Sequence, residues 1–152
     1  MIKEILKKDI LLAFIDLSIE KQNILSPIQL MKGMFLVKNE LKISNFYKFE
    51  AYLYGPCSFE IYSDLIDLLE NKLIDAISTP FSWKYYRTTN VGSNKANLII
   101  KKLDKKNVEK LNEIKKLVIT KSFLELLEYV YKKYPEYAKN SIVDLGVFEK
   151  WH

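Results

Sequence analysis

The chain has 152 residues, 49% of them apolar and 28% charged, with a formal net charge of +5. It is long enough and apolar enough to bury a self-sufficient core, which excludes a disordered chain and fits a single domain over 1–152. No apolar run reaches the roughly 18–20 residues a membrane span needs, and one cysteine excludes an internal disulfide, so a cytoplasmic protein without a membrane partner is expected.

The opening "MIKEILKKDILLAFIDLSIE" begins with charge and turns apolar, as a signal peptide does. Asp9 and Asp16 interrupt it and no small-residue cleavage site follows, so it reads as a first helix over 3–21. Leu6, Ile10, Ala13, Phe14 and Leu17 mark its apolar face. In "NILSPIQLMKGMFLVKNEL", Ser26 is placed to cap a second helix, Pro27 to occupy its first position, and the helix to run to about Leu41. That helix is apolar on nearly every side, which predicts a central position, with Gly33 admitting a close neighbour.

"FYKFEAYLYGP" predicts an extended stretch from Phe46 to Tyr54, broken by a turn at Gly55 and Pro56. Ser58 is a suitable cap for a third helix over 59–72, with Ile61, Leu65, Leu68 and Leu69 as its buried face. Residues 76–102 alternate well enough to predict a β-hairpin joined by the turn "TNVGSNK". Two further helices are predicted over 105–119 and 122–134, the second using Phe123, Leu127, Val130 and Tyr134 and ending at Pro135. The fold class is therefore α+β and mainly helical: a winged-helix-like core of three helices and a hairpin over about 3–102, with two added C-terminal helices over about 105–134.

Several stretches resemble the YwgA-like proteins and the related Panacea (SocA-type antitoxin) domains. They are "LSPIQLMKGMFLV", "FEAYLYGPCSFEIYSDLIDLLENKLI" with its aromatic strand, Tyr-Gly-Pro and helix, and "FLELLEYVYKKYPEYAKNS". Together they cover roughly residues 24–141. YwgA-like proteins have no settled activity, whereas Panacea domains are associated with neutralising toxins by direct contact. The resemblance thus implies a partner protein of toxin type and no catalysis.

Charge is unevenly spread. Residues 58–75 hold Glu60, Asp64, Asp67, Glu70 and Asp75 against Lys72 alone. Glu60, Asp64, Asp67 and Asn71 recur at helical spacing, opposite the expected apolar face. DNA carries a negative charge for each ~1.7 Å of duplex, so such a face would be repelled from a groove. It reads either as a solvated face or as a docking surface for a basic partner. Tyr52 and Tyr54 alternate with Leu53 and either pack beneath the hairpin or add an aromatic patch to that surface.

A nucleic-acid reading rests on Lys84, Arg87, Lys95, Lys101 and Lys102, because residues 76–102 contain no acid. Phe81, Trp83 and Tyr85 alternate among them, as in single-strand binders that stack bases on rings. The plainer reading is a core-facing aromatic side with a cationic edge that stays soluble. Residues 101–139 add further lysines.

Catalytic chemistry is poorly provided for. Cys57 precedes a helix N-terminus but has no base near it in sequence, and the one histidine is His152. Zinc-like ligand spacing, a calcium loop, a Gly-rich phosphate loop and a serine-hydrolase elbow are all missing from the sequence. The expectation is a non-enzymatic protein-interaction or regulatory module with no cofactor or metal, and alternatively a nucleic-acid-binding regulator.

Overall fold

The computed structural model describes residues 5–19 and 24–142. In chain order the elements are α1 (Lys7–Asp16), α2 (Pro27–Glu40), β1 (Glu50–Tyr52), β2 (Gly55–Cys57), α3 (Phe59–Glu70), β3 (Ile74–Ser78), β4 (Lys84–Thr88), α4 (Asn90–Lys102), α5 (Lys105–Thr120), α6 (Phe123–Lys133) and a 3-10 turn (Pro135–Ala138). The fold is α+β and mainly helical, with two separate antiparallel pairs, β1–β2 and β3–β4. No described helix is long and apolar enough to cross a membrane.

Helix α2 is central, as its all-round apolarity predicts. Every residue from Leu30 to Val37 is buried, and the helix packs on α5 and β2. Its start follows sequence logic: Ser26 and Gln29 form a reciprocal capping box with Pro27 at the first position. Gly33 lies under Phe14, whose ring carbons stand 2.7 Å from where a Cβ would be. Any side chain there would push α1 away.

Of the described part of its expected range, residues 5–19, helix α1 takes Lys7–Asp16, and residues 3–4 and 20–21 lie outside the described residues. Leu6 is its exposed N-cap rather than a core residue, while Ile10 to Ile15 are all buried. The helix ends at Asp16, where Lys115 reaches over from α5. The Lys115 ammonium donates to the carbonyls of Phe14 (2.6 Å) and Ile15 (2.9 Å), two of the acceptors that the end of a helix leaves free.

Two turn expectations are corrected. Gly55 and Pro56 do not form the turn; they stand in β2, opposite Tyr52 and Ala51, and the reversal falls on Leu53 and Tyr54. Glycine is required there for another reason. Gly55 has φ +95°, and a Cβ would approach the Leu127 Cδ1 at 3.0 Å and the Lys32 Cε at 3.1 Å. β2 is thereby pressed onto α2 and α6. The outer edge of β1 is not left open, since Asn140 Nδ2 donates to the Ala51 carbonyl and the Ile142 amide to the Leu53 carbonyl.

The second correction concerns the hairpin. It spans β3 and β4 only, with Ser78 opposite Lys84 and Ile74 opposite Thr88. The sequence "TNVGSNK", expected as its turn, begins α4 instead. Thr89 caps that helix by accepting from the Gly92 amide, and Gly92, Ala96, Ile99 and Leu103 recur at helical spacing as its buried face. A Cβ on Gly92 would lie 1.8 Å from the Leu73 carbonyl oxygen. α4 packs on α1, and α5 and α6 form close to their expected bounds. Pro135 ends α6 and opens the 3-10 turn. The C-terminal stretch "AKNSIVDLGVFEKWH", for which the sequence predicts no element, is described as far as Ile142, and 143–152 lie outside the described residues.

Candidate docking surface on helix α3

Three stripes run along α3, each at three- or four-residue spacing. The first is Ile61, Leu65 and Leu68, fully buried in the core. The second is acidic, and the third, Phe59, Tyr62 and Ile66, is apolar and exposed.

The acidic stripe is answered from within the chain, although the side chains of Glu60 and Asp67 stay 42% and 41% exposed. Lys7 and Lys8, in the first turn of α1, pair with Glu60 and Asp67 respectively. The Tyr47 hydroxyl donates to Asp64 Oδ2 at 2.6 Å, and the Lys48 amide donates to Glu60 Oε1 at 3.0 Å. The Lys7 ammonium also lies 5.2 Å from the Tyr47 ring centroid. Asn71 serves α3 itself, its amide donating to the Asp67 carbonyl at 2.9 Å. The hydrogen bond from Lys7, then that from the Lys48 amide, holds the Glu60 carboxyl below its usual range, and the bond to Asp67 raises Lys8. Burial, then the bond to Asp64, pushes the Tyr47 phenol up and keeps it protonated. Both lysine pairs are substantially exposed, so each contributes no more than about 1 kcal/mol.

The apolar stripe has no such cover. Phe59 is 57% exposed, Tyr62 41% and Ile66 56%. The hairpin tip extends it, because the Tyr52 ring meets Phe59 edge-on at 5.6 Å and Phe59 lies 6.5 Å from Tyr62. Across Leu53, Tyr54 meets Phe123 edge-on at 5.8 Å. Tyr52 and Tyr54 are thus exposed members of an aromatic patch and do not pack beneath β3–β4. Phe123, expected in the core, stands at the patch instead. Phe59, Tyr62 and Ile66 were legible as a surplus. α3 carries seven apolar or aromatic residues in twelve, more than one core-facing stripe holds.

The cations of the nucleic-acid reading do not share one hairpin. Lys84 and Arg87 are exposed on β4, whereas Lys95, Lys101 and Lys102 lie on α4. Lys95 stands 3.9 Å from Asp9.

The reactive groups are occupied or enclosed. Burial raises the Cys57 thiol despite the opposing pull of Lys32, so no thiolate is favoured. Lys32 is buried with its ammonium 3.4 Å from the Pro56 carbonyl, and burial lowers it to about 8. Lys115 is lowered by burial to about 7, against the attraction of Asp16. Ser58 occupies the N-cap of α3, but its hydroxyl makes no capping bond and is enclosed without a partner. No group of three His, Cys, Asp or Glu side chains suited to a metal occurs among the described residues.

The chain matches no protein-family model, no curated protein and no solved structure.

Proposed function

We propose that this chain is a non-enzymatic protein-interaction module, antitoxin-like in action, which docks a partner protein on the aromatic patch of α3 and the β1–β2 tip. One observation carries the reading: Tyr52, Phe59, Tyr62 and Ile66 form a contiguous surface that stays exposed among the described residues. Aromatic residues dominate interface hot spots, and rings already held edge to face lose little side-chain entropy on binding. The acidic stripe beside the patch is braced by Lys7, Lys8 and Tyr47, so it contributes a rigid rim. The order α1, α2, α3 then β3–β4, with β1–β2 between α2 and α3, supports a winged-helix-like core, and the resemblance to Panacea domains supports a toxin-type partner.

The test is quantitative co-purification of the native partner with tagged protein. Phe59→Ala should weaken capture roughly 30-fold, about 2 kcal/mol, with an unchanged melting temperature. Undiminished capture by the folded variant would remove this surface from the account.

A further inference from the structure

A second surface lies at the β3–β4 connection, apart from α3. Residues 79–83 (Thr-Pro-Phe-Ser-Trp) join the strands. One hydroxyl holds this loop in shape: Thr79 Oγ1 accepts from the Phe81 amide at 3.1 Å and donates to the Trp83 carbonyl at 2.7 Å. Pro80 restricts the backbone between them. The Phe81 and Trp83 rings are stacked with centroids 4.6 Å apart and planes within 3° of parallel. Phe81 is nonetheless 65% exposed and Trp83 40%. Folding therefore fixes two large rings while leaving much of their surface in water.

The surroundings of the rings carry one sign of charge. Lys84 directly follows Trp83, Arg87 lies three residues further along β4, and both are exposed. Among the described residues neither is held in an ion pair, and residues 76–88 contain no acid. The nearest acid in the ladder is Asp75, opposite Arg87.

We infer that this loop is a binding site for single-stranded nucleic acid, with a base stacking on the free face of the Phe81–Trp83 pair and Arg87 holding an adjoining phosphate. Parallel rings present flat faces, which suit a planar base. Bases within a duplex are already stacked on their neighbours, so the site selects unpaired strand. The cations with no intervening acid complement a phosphate backbone. This site is independent of the aromatic patch on α3.

The experiment uses full-length protein carrying Trp151→Phe, which leaves Trp83 as the only tryptophan. Its fluorescence is titrated with oligothymidylate of about 12 nucleotides. Saturable quenching is expected, with affinity falling as salt rises by a logarithmic slope of about 0.7 per phosphate held. Phe81→Ala should weaken binding about 5- to 100-fold, Thr79→Val should weaken it less by loosening the loop, and Arg87→Ala should lower the salt slope by about 0.7. Phe81 and Arg87 are exposed, so circular dichroism and melting temperature should stay unchanged in their variants. Three results would overturn the inference: no saturable quenching up to about 1 mM oligonucleotide at low salt, equal affinity for the Phe81→Ala variant, or preferential quenching by anionic phosphatidylserine vesicles.

Discussion

The two flanks of α3 are equally conspicuous in the sequence and fare oppositely in the fold. On one flank, Glu60, Asp64 and Asp67 are each answered by a group from elsewhere in the chain: Lys7, Tyr47 and Lys8. On the other, Phe59, Tyr62 and Ile66 remain exposed, with Tyr52 of the hairpin tip set edge-on against Phe59. A row of charges on a helix is cheap to leave in water and equally easy to neutralise internally, so it says little about partners. An exposed row of rings forgoes burial free energy, so it asks for an explanation beyond folding. The contrast separates polar groups answered within the chain from rings left exposed, and the proposed docking rests on the rings.

The strongest way to probe the inward half is Lys115. Lys115→Ala removes the amine that caps α1 and empties a buried site, so a loss of about 2–4 kcal/mol is expected in urea unfolding. The milder Lys115→Met tests the titration. The native amine releases its proton near about 7, whereas the unfolded chain keeps it to the ordinary value of 10.5. Between those values the unfolded state binds more protons, so stability rises with pH, on the order of 2 kcal/mol from about pH 7 to about pH 9. Lys115→Met should flatten that rise, leaving the smaller contribution of Lys32 that begins near about 8.

On the outward half, Phe59→Ala combined with Tyr62→Ala should weaken partner capture by more than about 30-fold, with stability within about 0.5 kcal/mol of the parent. Equal losses of capture and stability would collapse the distinction between the flanks. Smaller and opposite in kind, Tyr47→Phe should cost about 1–2 kcal/mol of stability, because Asp64 loses its buried donor, while capture is preserved. Smallest is Lys8→Ala, expected to cost less than about 1 kcal/mol and to lose even that at high salt.

Local signals carried much of the fold. Ser26, Pro27 and Gln29 encode the start of α2 within four residues, and the all-round apolarity of that helix encodes its central place. The hairpin was harder because "TNVGSNK" offers turn chemistry and capping chemistry in the same letters. Gly92 is needed for close contact with Leu73, a neighbour supplied by tertiary packing. Gly55 misled similarly: its positive φ was legible, but its place in β2, against Lys32 and Leu127, depends on α2 and α6. The acidic stripe was legible as a pattern and illegible as a role, since Lys7, Lys8 and Tyr47 approach it from 17 to 59 residues away in sequence.

The most direct measurement places a photoreactive benzoylphenylalanine at position 59 in one strain and at position 67 in another, followed by irradiation of the native cells. A discrete crosslinked partner from position 59 and none from position 67 is the expected result. The reverse pattern, from proteins that remain folded, would contradict the assignment of docking to the ring-bearing flank.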